Sequence, residues 1–176
     1  MNVFLTAQMK HNPEEFFAKF QPGDEQKLSY GESLLLCALG NADAHTRYTI
    51  AEFLISRDCL VGPPGPAGHT GLHALFGQHN RDLDKDLQIA RWLIDHGTNV
   101  NALDNRHTHA ICELLNGPGT DEELKDLYDL FFSQPYLDLT TPNVRGYSPL
   151  DLARSREHRT ALTARMEKYL DEHPSK

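Results

Sequence analysis

No stretch of this sequence approaches the roughly 18 uninterrupted apolar residues that suggest a membrane-spanning helix. The opening segment, MNVFLTAQMKHNPEEFF, lacks a basic lead, a long apolar run and a small-residue cleavage site. Neither a bilayer span nor a secretion signal is expected, and the chain reads as soluble and cytoplasmic. Cysteine is scarce: Cys37, Cys59 and Cys112 are odd in number, far apart and set among apolar residues. That pattern suits reduced core thiols better than a disulfide framework. Positive charge is in deficit, with 17 Lys and Arg against 25 Asp and Glu and a net charge of −8. Phosphate backbones are held by clustered cations, so nucleic acid is not an expected partner, and nor is a membrane.

Catalytic signatures are missing too. The sequence has no G-x-S-x-G elbow, no phosphate-cradling glycine loop, no C-x-x-C and no H-E-x-x-H. His69 and His73 are four residues apart, but His69 lies at a turn, so the two do not read as metal ligands on one helix face. The acidic groups Asp82/Asp84/Asp86 and Asp121/Glu122/Glu123 lack the glycine and closing glutamate of a calcium loop. No enzymatic activity, catalytic residue, metal or cofactor is expected.

What is present is an internal repeat, within a length that fits one domain. GESLLLCAL from Gly31, GHTGLHALF from Gly68, HTHAICELL from His107 and GYSPLDLA from Gly146 share a turn residue, a polar anchor and a following apolar run. The anchors Ser33, Thr70, His109 and Ser148 are 37, 39 and 39 residues apart. A second pattern, IARWLIDHGTNVNALD from Ile89, has apolar residues at helical spacing, a glycine stop and an extended tail. Weaker versions begin at Ala51 and Leu127. Ile89, Trp92 and Leu93 fall at i, i+3 and i+4, which makes the single tryptophan a core candidate.

These motifs resemble those of the ankyrin-repeat family. T-P-L-H-x-A is matched by Thr70-Gly71-Leu72-His73-Ala74-Leu75 and by Ser148-Pro149-Leu150-Asp151-Leu152-Ala153, and the ending G-A-D-V-N-A by Gly97-Thr98-Asn99-Val100-Asn101-Ala102. The third unit is degenerate, with His107 where a turn glycine is usual. The resemblance implies an all-α ankyrin-repeat solenoid of stacked helix-turn-helix units in a single domain. An N-terminal half-repeat cap would occupy 1–27, the repeats 28–65, 66–103, 104–141 and 142–172, and the last helix, Thr160 to Leu170, would close the array with Leu162, Met166 and Tyr169 inward. Extra polar residues at Asn41–Tyr48, Gly77–Asp86 and Asn116–Glu123 read as loops, and the run Gly62-Pro63-Pro64-Gly65-Pro66-Ala67-Gly68 as a stiffened turn too short for a collagen helix.

By turn position, His69, Asn105, Arg106, His107, Val144, Arg145 and Tyr147 are the candidate partner-binding residues. The implied function is a non-catalytic module, monomeric when free, that binds another protein. It is similar to bacterial immunity proteins that cover a toxin domain, and an adaptor that recruits a protein without inhibiting it is the alternative. From Asp82 to Asp129 the charge balance is −7, with eleven acidic and four basic residues. That segment is either a set of solvated faces or a docking surface for a basic toxin domain.

Overall fold

Polar residues with short acceptor side chains start the helices of this chain, and the computed structural model, which describes residues 1–174, shows them capping. Asn2 and Asn12 begin α1 (Val3–Met9) and α2 (Pro13–Phe17). Ser33 and Asp43 begin α3 (Leu34–Leu39) and α4 (Ala44–Ile55). Each accepts a backbone N–H in its first turn, which satisfies one of the donors a helix leaves free. At α5 (Gly71–Phe76) the Thr70 N–H donates to His73 Nδ1 at 3.2 Å. Asp82 caps α6 (Leu83–Asp95). Ser148 and Asp151 bond reciprocally around α9 (Pro149–Arg154), with Pro149 at the first helical position. His109 begins α7 (Ala110–Asn116) without a side-chain cap; its Nε2 instead lies 3.5 Å from Asp138 Oδ2. The remaining helices are α8 (Lys125–Phe132) and α10 (Thr160–Glu172).

The short helices α1, α3, α5, α7 and α9 pack each on the next, forming one layer. The helices α2, α4, α6 and α8 do the same in a second layer, and α10 packs on α9. The core runs continuously between the layers, from Phe16, Leu34 and Leu54 through Leu72, Leu75 and Ile89 to Phe131, Leu150 and Met166. Burial of these side chains at ~25 cal/mol per Å² of apolar area supplies the main driving force.

Strand structure among the described residues corrects the all-α ankyrin-repeat reading. β1 (Leu28–Ser29) and β2 (Glu32–Ser33) form an antiparallel pair with Leu28 opposite Ser33 and Ser29 opposite Glu32. The cause is local: Tyr30 and Gly31 both take positive φ, 52° and 85°. Two successive left-handed residues reverse the chain tightly enough to pair its flanks. Two of the expected loops are also partly helical, since Ala44–Tyr48 belongs to α4 and Leu83–Asp86 to α6. Trp92 is only half-buried and stacks on His96 at 4.0 Å between ring centroids, while Ile89 and Leu93 go into the core. At the chain's far end Leu162, Met166 and Tyr169 are buried.

Buried arginines hold the segments between paired helices. Arg47 Nη1 donates to the Asn41 carbonyl beyond α3 at 2.7 Å. Arg81 donates to the carbonyls of Phe76 and Gln78 beyond α5. Arg159 donates to Leu115 O (2.8 Å), Gly117 O (2.9 Å) and Gly119 O (2.7 Å) beyond α7. Each guanidinium thus satisfies carbonyls left open at a helix end.

Candidate functional site

Three turns with the same internal bonding project from the first layer. Gly65 N–H donates to His69 O, Asp104 N–H to Thr108 O and Asn143 N–H to Tyr147 O, at 3.0, 3.1 and 3.0 Å. In each, a positive φ follows three residues on, at Gly68 (76°), His107 (56°) and Gly146 (85°). The turns are stitched together: Asn105 N–H donates to Ala67 O and Val144 N–H to Arg106 O, both at 3.0 Å. This bonding sets Arg106 beside the turn that carries Val144 and Arg145.

Asp104 organises the middle one of these turns. Its Oδ1 accepts the N–H groups of Arg106 and Thr108, both at 2.8 Å, while Oδ2 lies 3.3 Å from both Arg106 Nε and His69 Nε2. Burial pushes this carboxyl up, but the N–H groups of Thr108 and Arg106 and the Arg106 guanidinium outweigh it and hold it below the usual carboxylate range. Asn143 does the same job in the last of the three, where Oδ1 accepts from Arg145 N (2.9 Å) and Tyr147 N (3.2 Å). A short polar side chain bonded to backbone two and four residues ahead is what fixes both loops.

Between these turns and the helices α7 and α9 lies a groove of 450 Å³. Arg106, Val144, Arg145 and Tyr147, four of the seven sequence candidates, line it. The other three do not. His69 is turned toward Asp104 and stacks on His73 with ring centroids 5.6 Å apart. Asn105 spends its side-chain amide on the Pro66 carbonyl at 3.0 Å, and His107 occupies the turn tip. His73 itself is framework: Nε2–H donates to Thr108 O at 2.9 Å while Nδ1 accepts from Thr70, and burial lowers its basicity.

Turn position alone did not reveal the helix-borne side of the groove, Glu113 and Asn116 from α7 with Leu152 and Arg156 from α9 and its exit. The repeat spacing offered part of a signal, because Glu113 and Asn116 follow the anchor His109 by four and seven residues as Leu152 and Ser155 follow Ser148, whereas Arg156 falls outside that register. Arg106 Nη2 lies 3.3 Å from Glu113 Oε1, and Arg156 Nη2 donates to Asn116 Oδ1 at 3.0 Å. Arg145 has no ion-pair partner among the described residues. Val144 and Tyr147 are 65% and 52% exposed.

A second groove of 750 Å³ runs beside Pro63 and Pro64, with Asp58 and His96 on its wall. It contains none of the sequence candidates. The three thiols are free and buried, and burial pushes each up to about 12, so none is a nucleophile at neutral pH.

No family model and no curated protein matches this chain. It is similar to a solved structure from Leptotrichia buccalis described as a functionally unknown protein, at 25% identity with a TM-score of 0.85. The likeness covers 99% of this chain and 96% of that one. That neighbour lends no support to the expected ankyrin-repeat class, and its description supplies no function. No helix among the described residues is long and apolar enough to cross a membrane.

Proposed function

We propose that this chain is a non-catalytic module that binds another protein through the groove beside the Asp104–Thr108 and Asn143–Tyr147 turns. One observation carries the reading: Arg106, Val144, Arg145 and Tyr147, chosen by turn position alone, converge on a single groove. Arginine and tyrosine combine contact area with directed hydrogen bonds, the composition of energetic centres in protein interfaces. Their turns are pre-tied by backbone and Asx bonds, so little ordering entropy opposes association.

Inhibition of the bound protein, as by an immunity protein that covers a toxin domain, is part of this proposal, and so is a cytoplasmic setting. Three unpaired buried thiols suit a reducing compartment. Recruitment without inhibition is the second reading; the same face serves both.

A photo-crosslinking amino acid placed at Tyr147, with one at the exposed Leu5 of α1 as control, tests the reading in the native cell. The expected result is one covalent adduct from position 147, absent from position 5, whose partner loses its activity when the chain is added. Equal adducts from both positions would remove this face, and a partner that stays active while bound would make the chain an adaptor.

A further inference from the structure

The charge of the groove runs against the charge of the molecule. A chain with a net charge of −8 places three arginines, Arg106, Arg145 and Arg156, in one groove whose single carboxylate is Glu113. Of the excess acid of the middle segment only Glu113 lines it, with Asp104 Oδ2 behind it at 3.3 Å from Arg106 Nε. Asp86 and Asp104 are buried, Asp121 is engaged by Arg159 and Asp129 by Lys125 and Arg165. Glu113 is itself within 3.3 Å of Arg106.

We infer that the groove takes an acidic segment of the partner protein, an extended stretch in which carboxylates alternate with apolar side chains. This rests on the protein-binding reading above and deepens it. Among the described residues Arg145 has no ion pair and the Arg156 guanidinium bonds only to the neutral Asn116 amide, so both keep donors for incoming carboxylates. A guanidinium fork matches a carboxylate in bidentate geometry. Between the cations, Val144, Tyr147 and Leu152 offer apolar surface for intervening side chains. A nucleic acid would need cations continuing along its backbone beyond the groove, and the chain as a whole carries a net charge of −8. The field of the groove speeds the encounter of the right segment and repels basic ones.

The test is fluorescence anisotropy with three labelled probes: a twelve-residue peptide of alternating Glu and Leu, its Lys–Leu counterpart, and a single-stranded oligonucleotide of twelve nucleotides. The Glu–Leu peptide is expected to bind, to weaken at least tenfold in Arg145→Glu and in Arg145→Ala/Arg156→Ala, and to weaken as salt is raised. Circular dichroism melting checks that both variants fold; Arg145→Glu, which breaks no ion pair among the described residues, guards against loss of structure. Binding of the Lys–Leu peptide instead would overturn the acidic occupant while leaving a protein-binding face standing. Preference for the oligonucleotide, indifference of Glu–Leu binding to both variants, or no Glu–Leu binding at all would each overturn it too. In that last case the adduct from Tyr147 decides separately whether the face binds protein.

Discussion

Arg159 has no solvent exposure, and three backbone carbonyls and Asp121 surround its guanidinium. Asp121 is in turn bonded by Tyr128 Oη and by Leu162 N–H, so one arginine ties the α7 exit to α8 and α10. Removing one partner of a buried charge network leaves the rest unpaired, at a cost of about 3–5 kcal/mol. Arg159→Ala is therefore expected to lose about that much stability in urea unfolding, with Arg154→Ala, at the surface, changing it by under ~1 kcal/mol. Equal losses in the two would show that the Arg159 network is not a structural anchor. Nothing in the sequence separated these arginines. Arg47, Arg81 and Arg159 look like Arg91 or Arg154 until helix ends are placed in space, since their acceptors are carbonyls up to 44 residues away. Ser33, Thr70 and Ser148 were legible because a cap acts within three residues of itself.

At the scale of elements, helices were readable where burial imposes a period and turns where conformation imposes a residue type. Ile89 and Leu93 mark the inner face of α6, and Leu162, Met166 and Tyr169 that of α10, through spacing alone. Two-residue strands carry no period, so β1 and β2 escaped notice although the Tyr30-Gly31 reversal builds them. Turn glycines are not equivalent either. A Cβ on Gly68 would sit 2.9 Å from the backbone of Asp104 and Asn105, whereas one on Gly146 meets nothing within 4 Å. Both have positive φ, which costs an L-residue about 1–2 kcal/mol. Gly146→Ala is expected to lose about that much in thermal or urea unfolding, and Gly68→Ala clearly more, because the neighbouring turn must move. Equal losses would mean that the stitching between turns does not contribute to stability.

The whole molecule joins an acidic exterior to a cationic groove, and only part of that contrast is visible in the order of residues. Arg106, Val144, Arg145 and Tyr147 could be chosen from turn position; Glu113, Leu152 and Arg156 join them only because α7 and α9 lie side by side. Of the carboxylates behind the −7 balance between Asp82 and Asp129, Asp86 and Asp104 are buried and Glu113, Asp121 and Asp129 face cations, while Asp82, Asp84, Asp95, Glu122, Glu123 and Asp126 are exposed outside the groove. On the proposed reading this groove is where a protein binds. The most direct test is titration calorimetry of the partner recovered by crosslinking at position 147, against the chain and against Arg145→Glu/Tyr147→Ala, with melting followed in parallel. The expected results are an affinity at least tenfold weaker in the double variant and a melting temperature nearly unchanged. Equal affinity for both proteins would contradict that reading.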